Sequence, residues 1–337
     1  MRVSVVVCEH TLDRYGDFQE AVEALSRQTH QDTEVVLVSD GNEAVCERLR
    51  DDYGDESNIL VHCLDENSGL LEARNAGARV ASGDVVAFLD DDAVPADDWV
   101  EQLVRVYETT DSPAVGGKMT PAWVAGKPSF LPEEFYWLVG VTHRGFGPEG
   151  DKERPGEVRN TFGSNISFRR DIFLELGGFD SEIGGRKEDA NLQGGETELC
   201  ARMREEYGRG VYYNPQAEVA HKVYDYRTSP LWLLDRAFWQ GYSKRGMEEF
   251  VPDSGEKQSD FLVQLVTEFA PRRIMNLIGS PSVSGILQFI SLFVFTFIVG
   301  LGYLYGSVEY SGTTVHVNSS SDEPTYRVLW LRPSRGD

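Results

Sequence analysis

Lysine is scarce: only seven of the 32 basic residues are Lys, and they face 55 acidic residues, for a formal charge of −23 over 337 residues. A field of that sign repels polyanions, which excludes DNA or RNA as a partner. The acid excess is not the mark of a disordered chain, because 41% of the residues are hydrophobic, enough for one large domain or two smaller ones. It matches the solvated surface expected in a salt-saturated cytoplasm, where screening removes self-repulsion. Cysteine is also rare. Cys8, Cys46, Cys63 and Cys200 form no C-x-x-C and have no His at zinc-ligand spacing, so the expectation is buried free thiols in a reducing compartment. No G-x-G-x-x-G follows the first apolar run, which removes a dinucleotide site. The opening MRVSVVVCEH lacks the longer apolar core of a signal peptide, so the catalytic portion is expected in the cytoplasm.

Apolar runs at 2–8, 34–38, 59–64 and 84–89 alternate with helical patterns at 16–28, 43–53 and 70–81. Strand alternating with helix predicts an α/β fold, a mostly parallel sheet with helices on both faces and ligands beyond the carboxyl ends of the strands. Acids gather at those ends: Glu9, Asp40, Glu66 and the triplet Asp90, Asp91, Asp92. Beyond residue 120 the spacing lengthens into Pro- and Gly-bearing loops, with a strand expected at 162–169 and a helix near Glu196.

The run VVAFLDDDAVP carries the first chemical signal. Three carboxylates after a buried strand repel one another unless something neutralises them. Were the strand to continue past Leu89, Asp90 and Asp92 would converge and Asp91 would point away. Two hard oxygen ligands with room for phosphate oxygens suit Mg²⁺ or Mn²⁺. An acidic turn is the alternative. In NSGLLEARNAG, residues 67–77, a helix opening at Gly69 offers free N–H groups, and Arg74 adds a fork of donors suited to diphosphate oxygens.

These motifs resemble the inverting GT-A glycosyltransferases of family 2 over roughly residues 1–225. The first two strand ends depart from the family pattern, reading CEHT and SDGN. The resemblance implies a GT-A fold and a UDP-sugar donor, with Asp40 on the uracil, Asp90 on the ribose or metal, Asp92 on the metal, and Glu9, Arg74 and Asp91 also on the donor side. It implies Glu196 in GGETELCAR as the base that takes the acceptor's proton, with Glu188 and Asp189 as rivals. Gly163 and Asn165 in GSNISFRR would lie beside the acceptor. His221 would complete the metal shell, although a lone His beside apolar residues is also a structural residue.

From Ile274 to Val308 no residue is charged, and 286–305 is long enough for a bilayer. Arg272 and Arg273 precede this run and no Lys or Arg follows until Arg327, so the positive-inside bias keeps the catalytic side in the cytosol. The expected layout is a catalytic domain at 1–225, a helical membrane-proximal segment at 226–280, a single transmembrane helix at 284–306 and an exported tail at 307–337. Asn318 in that tail would be open to glycosylation. Trp232, Arg236 and Trp239 share one helical face at 230–246, fitting a membrane interface or a packed core. The whole resembles archaeal transferases that extend dolichol-phosphate-linked glycans for surface-layer glycosylation, some with glucuronate. A polyprenyl-phosphate monosaccharide synthase and a nucleotide-binding protein without turnover remain as alternatives.

Overall fold

A computed structural model describes residues 1–181, 183, 185–187, 190–250 and 261–310. The first half follows the alternation of the sequence: β1 (Val3–Glu9), α1 (Tyr15–Ser26), β2 (Thr33–Ser39), α2 (Glu43–Tyr53), β3 (Ile59–Cys63), α3 (Leu70–Val80) and β4 (Val85–Leu89). β1 lies between β2 and β4, parallel to both, and β3 flanks β2. The period of two sorts the strand residues between faces. Val3, Val5 and Val7 join Phe18, Leu49 and Trp99 on one side. Val6, Val86 and Phe88 join Phe168, Phe173 and Phe179 on the other. Chain direction from β1 diverges to β2 on one side and β4 on the other, which opens a crevice at their carboxyl ends.

The second half completes the sheet in mixed directions. Its elements are β5 (Ala93–Pro95), α4 (Trp99–Thr109), β6 (Ala114–Trp123), β7 (Gly156–Val158), β8 (Ile166–Arg169), α5 (Arg170–Glu175), β9 (Gly185–Lys187), β10 (Ala190–Leu192), α6 (Gly195–Tyr207) and β11 (Val211–Val223). The strand order is β3-β2-β1-β4-β8-β6-β11-β5, with β7 also on β11 and a separate β9–β10 hairpin. β8 runs antiparallel to β4 and β6. It begins at Ile166, later than the expected 162, because the chain at 162–165 is still turning: Asn165 N–H donates to the Phe162 carbonyl. The antiparallel pairing of β5 with β11 sets Ala93 opposite His221, and Lys222 N–H donates to the Asp92 carbonyl.

Two of the four expected free thiols are joined. Cys46, on the buried face of α2 with Val45 and Leu49, forms a disulfide with Cys63 at the end of β3, leaving Cys8 and Cys200 free. Their positions, 17 residues apart in sequence, become neighbours only because α2 folds back beside β3.

The C-terminal part consists of α7 (Pro230–Phe250), α8 (Ala270–Gly279) and α9 (Val283–Tyr310). α9 is long and apolar enough to cross a membrane and contains the expected 284–306 span; Asn318 lies outside the described residues. One face of α9 packs on α7 and on a 3-10 turn at Glu133–Val139, through Leu292 and Phe295 against Phe135 and Leu233. The other exposes Ile290, Phe293, Phe297, Leu301 and Leu304. Contact with α7 is backbone to backbone. A Cβ on Gly241 would overlap the Val299 carbonyl, and one on Gly302 the Phe238 carbonyl, the small-residue packing that helix pairs use in lipid. Gly302→Leu is expected to part the helices and destabilise the protein by about 1–3 kcal/mol, read as a lower unfolding temperature in detergent, whereas Gly300→Leu, at an open position, leaves it within about 0.5 kcal/mol.

Candidate active site

The carboxyl ends of β1 and β4 open into a cavity of roughly 640 Å³. Its lining includes Glu9, Asp40, Asp90, Asp91 and Asp92 at the strand ends, and Leu138, Val139, Arg227, Trp232 and Arg236 from the later part of the chain. Glu9 ends β1, and its Oε1 accepts the N–H groups of His10 and Thr11 at 2.8 and 3.0 Å. Its Oε2 is buried with no partner. Asp40 accepts Ser68 N–H at 2.8 Å and Gly69 N–H at 3.0 Å, one on each oxygen. Asp40 thus takes the N–H of the N-cap Gly69 and of Ser68 before it, which pins the loop where Gly69 turns at φ +85° and leaves the N–H groups of Leu70 to Glu72 as the expected open donors of α3.

The acid triplet does not continue the strand. The chain turns at Asp91 and Asp92, with Ala93 N–H donating to the Asp90 carbonyl at 3.2 Å, so the three side chains meet three different cations. Asp90 pairs with Arg74 at 2.5 Å. Asp91 lies 3.9 Å from Arg14, whose guanidinium stacks over Tyr224. Asp92 lies 3.4 Å from both His221 Nε2 and Arg227 Nη2. Burial raises the Asp91 carboxyl, and Asp92, Glu9 and Asp90 raise it further, to about 7. Burial also acts to raise Asp92, but His221, Arg227 and Arg14 outweigh it and hold that carboxyl below its ordinary value. Positive charge is therefore short at Asp91. That shortage, together with the orphaned Glu9 Oε2, fits a divalent cation at this edge. Among the described residues no three His, Cys, Asp or Glu side chains are gathered closely enough to cage an ion alone, which suits an ion completed by phosphate oxygens and water.

Arg74, Asn75 and Gly77 of the A-R-N-x-G stretch each have a packing role. Arg74 is 2% exposed, bonds Asp90 and Glu196 Oε1 (3.0 Å), and lies 5.9 Å from the ring centroids of Phe88 and Phe179. It does not line the cavity, so the expected diphosphate contact is replaced by a buried pair joining α3 to α6. Asn75 straps Phe179 through its backbone N–H and carbonyl, each at 2.8 Å. Gly77 lets α3 lie directly on Val6.

Glu196 is held in the first turn of α6 by Arg74, at the margin of the cavity and outside its lining. Its side chain is 26% exposed. Gly163 lies against this pair: a Cβ there would overlap Glu196 Oε1 and crowd Arg74 Nη1. Asn165 departs from its expected place beside an acceptor. It is fully buried, accepting from Trp99 Nε1 at 2.9 Å and donating to the Lys118 and Ala217 carbonyls at 3.1 and 2.9 Å. Its amide ties α4, β6 and β11 together and does not reach the cavity. Glu188 and Asp189 lie outside the described residues. Arg14 and Arg227 were not singled out by sequence; the only signal for Arg227 is its place in YDYRT just beyond His221, where it donates to Tyr226 Oη at 2.8 Å.

The sequence model of Glycosyl transferase family 2 matches residues 4–177. The chain belongs to that family. A glucosyl-dolichyl phosphate glucuronosyltransferase of Haloferax volcanii is 49% identical over 307 residues, 91% of this chain and 96% of that protein. An uncharacterized glycosyltransferase of Bacillus subtilis, YwdF, is 36% identical over 183 residues, 54% of this chain and 63% of its own length. Among solved structures, the mannosyltransferase PcManGT of Pyrobaculum calidifontis, in complex with GDP-Man and Mn²⁺, superposes with a TM-score of 0.55 at 17% identity, covering 92% of this chain and 86% of that one. Its likeness establishes the GT-A fold. Glu196 and His221 lie beyond the 4–177 match, so their roles in this family 2 glycosyltransferase rest on the geometry. Gly163→Ala is expected to push the flexible Glu196 side chain off Arg74: kcat should fall at least tenfold, and the unfolding temperature should fall as well, because the buried guanidinium loses one of its two carboxylates.

Proposed function

We propose that this glycosyltransferase moves a sugar from a UDP-sugar to a glycan carried on dolichyl phosphate, with inversion and with Mg²⁺ or Mn²⁺ bound at the acid triplet. The observation that carries the reading is the cavity edge at the ends of β1 and β4, where Asp91 is buried among other acids and Glu9 Oε2 is left without a partner. Asp91 and Asp92, with His221 beside Asp92, would hold the cation, while Asp90 is taken up by Arg74. When bound, it would offset charge on the departing nucleoside diphosphate. Asp40 keeps a free lone pair on each oxygen for the uracil, since each accepts a single N–H. Glu196 takes the acceptor hydroxyl proton as that oxygen attacks the anomeric carbon from the face opposite the leaving diphosphate, a single displacement that inverts the centre. Arg74 orients the Glu196 carboxylate from below and compensates Asp90 at the same time.

Glucuronate as the donated sugar, and glucosyl-dolichyl phosphate as the acceptor, are supported by the Haloferax relative, which is similar across nearly all of both chains. The apolar α9 supports attachment to the membrane that holds such a lipid, with residues 1–225 catalytic on the cytosolic side, where Arg272 and Arg273 precede the span.

Asp92→Asn is expected to abolish metal-dependent transfer, because an amide cannot compensate a divalent charge; wild-type turnover in this variant with Mn²⁺ added back after chelation would remove the metal from the reading. Glu196→Gln should keep UDP affinity and slow the chemical step by a factor on the order of 10²–10⁴. Both are read as UDP release from UDP-glucuronate with glucosyl-dolichyl phosphate, against bare dolichyl phosphate as the alternative acceptor. Transfer to the bare phosphate alone would make the enzyme a polyprenyl-phosphate monosaccharide synthase.

A further inference from the structure

Arg236 stands in the cavity without a counter-charge. It projects from α7 beside Trp232 and Arg227, its Nε is buried with no acceptor, and among the described residues it makes no hydrogen bond or ion pair. Burial and the neighbouring Arg227 guanidinium pull it down to about 10, only partly offset by Asp235 and Tyr226. The arrangement differs from the other arginines at this end of the fold. Arg74 has Asp90 and Glu196, Arg227 has Asp92, and Arg273 has Glu134. A buried guanidinium facing a second one is unfavourable unless an anion lies between them.

We propose that Arg236, flanked by Arg227, binds the phosphate of the lipid acceptor, an inference that rests on the lipid-phosphate acceptor proposed above. Two observations favour that phosphate over the donor's diphosphate. Arg227 already directs its Nη1 and Nη2 to His221 and Asp92, which leaves Arg236 as the cavity guanidinium with no carboxylate paired to it among the described residues. The surroundings of Arg236 are those of a lipid's path: Leu138, Val139 and Trp232 line the cavity, and the first two belong to the same apolar cluster as Leu292 and Phe295 of α9. A planar guanidinium with two parallel donors matches two phosphate oxygens.

The test uses the full chain in detergent, with Arg236→Gln and Arg236→Lys. Farnesyl phosphate, uncharged farnesol and UDP serve as calorimetric probes, and the Michaelis constants for donor and lipid acceptor are measured separately. Arg236→Gln should weaken farnesyl phosphate binding and raise the acceptor KM by on the order of tenfold or more, while UDP affinity and unfolding temperature stay as in the parent, because no internal partner is lost. Arg236→Lys should recover part of the binding, since charge returns without the fork. Loss of UDP affinity at an unchanged acceptor KM would assign Arg236 to the donor diphosphate and overturn the proposal. So would unchanged binding of both ligands, or wild-type binding of farnesol as tight as that of farnesyl phosphate. If wild type binds farnesyl phosphate through Arg236 and yet transfers to no lipid-linked acceptor, the proposed reaction fails and the phosphate site stands.

Discussion

The Arg74 guanidinium holds the two halves of the domain in register. It reaches Asp90 at the end of β4 and Glu196 at the start of α6, 122 residues further along the chain from Arg74. Removing one partner from such a buried cluster costs about 3–5 kcal/mol, because the remaining charges stay desolvated; the partial exposure of Asp90 and Glu196, 28% and 26%, puts this cluster at the lower end. The packing around it follows from that constraint. Phe88 and Phe179 flank the guanidinium, Gly163 leaves the volume that Glu196 occupies, and Asn75 fixes Phe179 through two backbone bonds. Glu196 thus stands where it does because the Arg74 guanidinium on α3 holds it there.

Charge in the cavity is left uneven at two places. Asp91 at the end of β4 is buried among other acids, and Arg236 of α7 has no ion-pair partner among the described residues. A cleft with low-dielectric sides keeps such an imbalance from being screened by solvent. A ligand system pairing a cation with a phosphate would answer both, which neither ion alone would do.

Much of this was legible in the chain, and the rest failed for identifiable reasons. β1 to β4 and α1 to α3 were placed within a residue or two because hydrophobic alternation is a local signal and the connections are short. The meeting of His221 with Asp92 was legible only through family resemblance, since it depends on the register of β11 against β5. Arg74 was recognised but misread: sequence supplies a guanidinium's donors without saying whether a carboxylate already occupies them. Asn165 failed in the same way, since a buried amide bridging three backbone or indole groups and one open to a ligand have the same letter. The Cys46–Cys63 bond was missed because spacing along the chain carries no information about a helix folding back on its strand.

Between most helices, interlocked side chains act as a cushion that lets each one slide or tilt a little on its own. Where Gly241 and Gly302 bring α7 and α9 together, main chain rests on main chain, and that compliance is gone. The two helices form a stiff strut, with one end of it, Trp232 to Arg236, forming part of the cavity wall. Were the outer face of α9 to lie in lipid, a change in bilayer thickness that tilted α9 would tilt α7 with it and shift that part of the cavity lining. The width of the cavity mouth would then answer to the mechanics of a surrounding membrane as well as to the chemistry inside it.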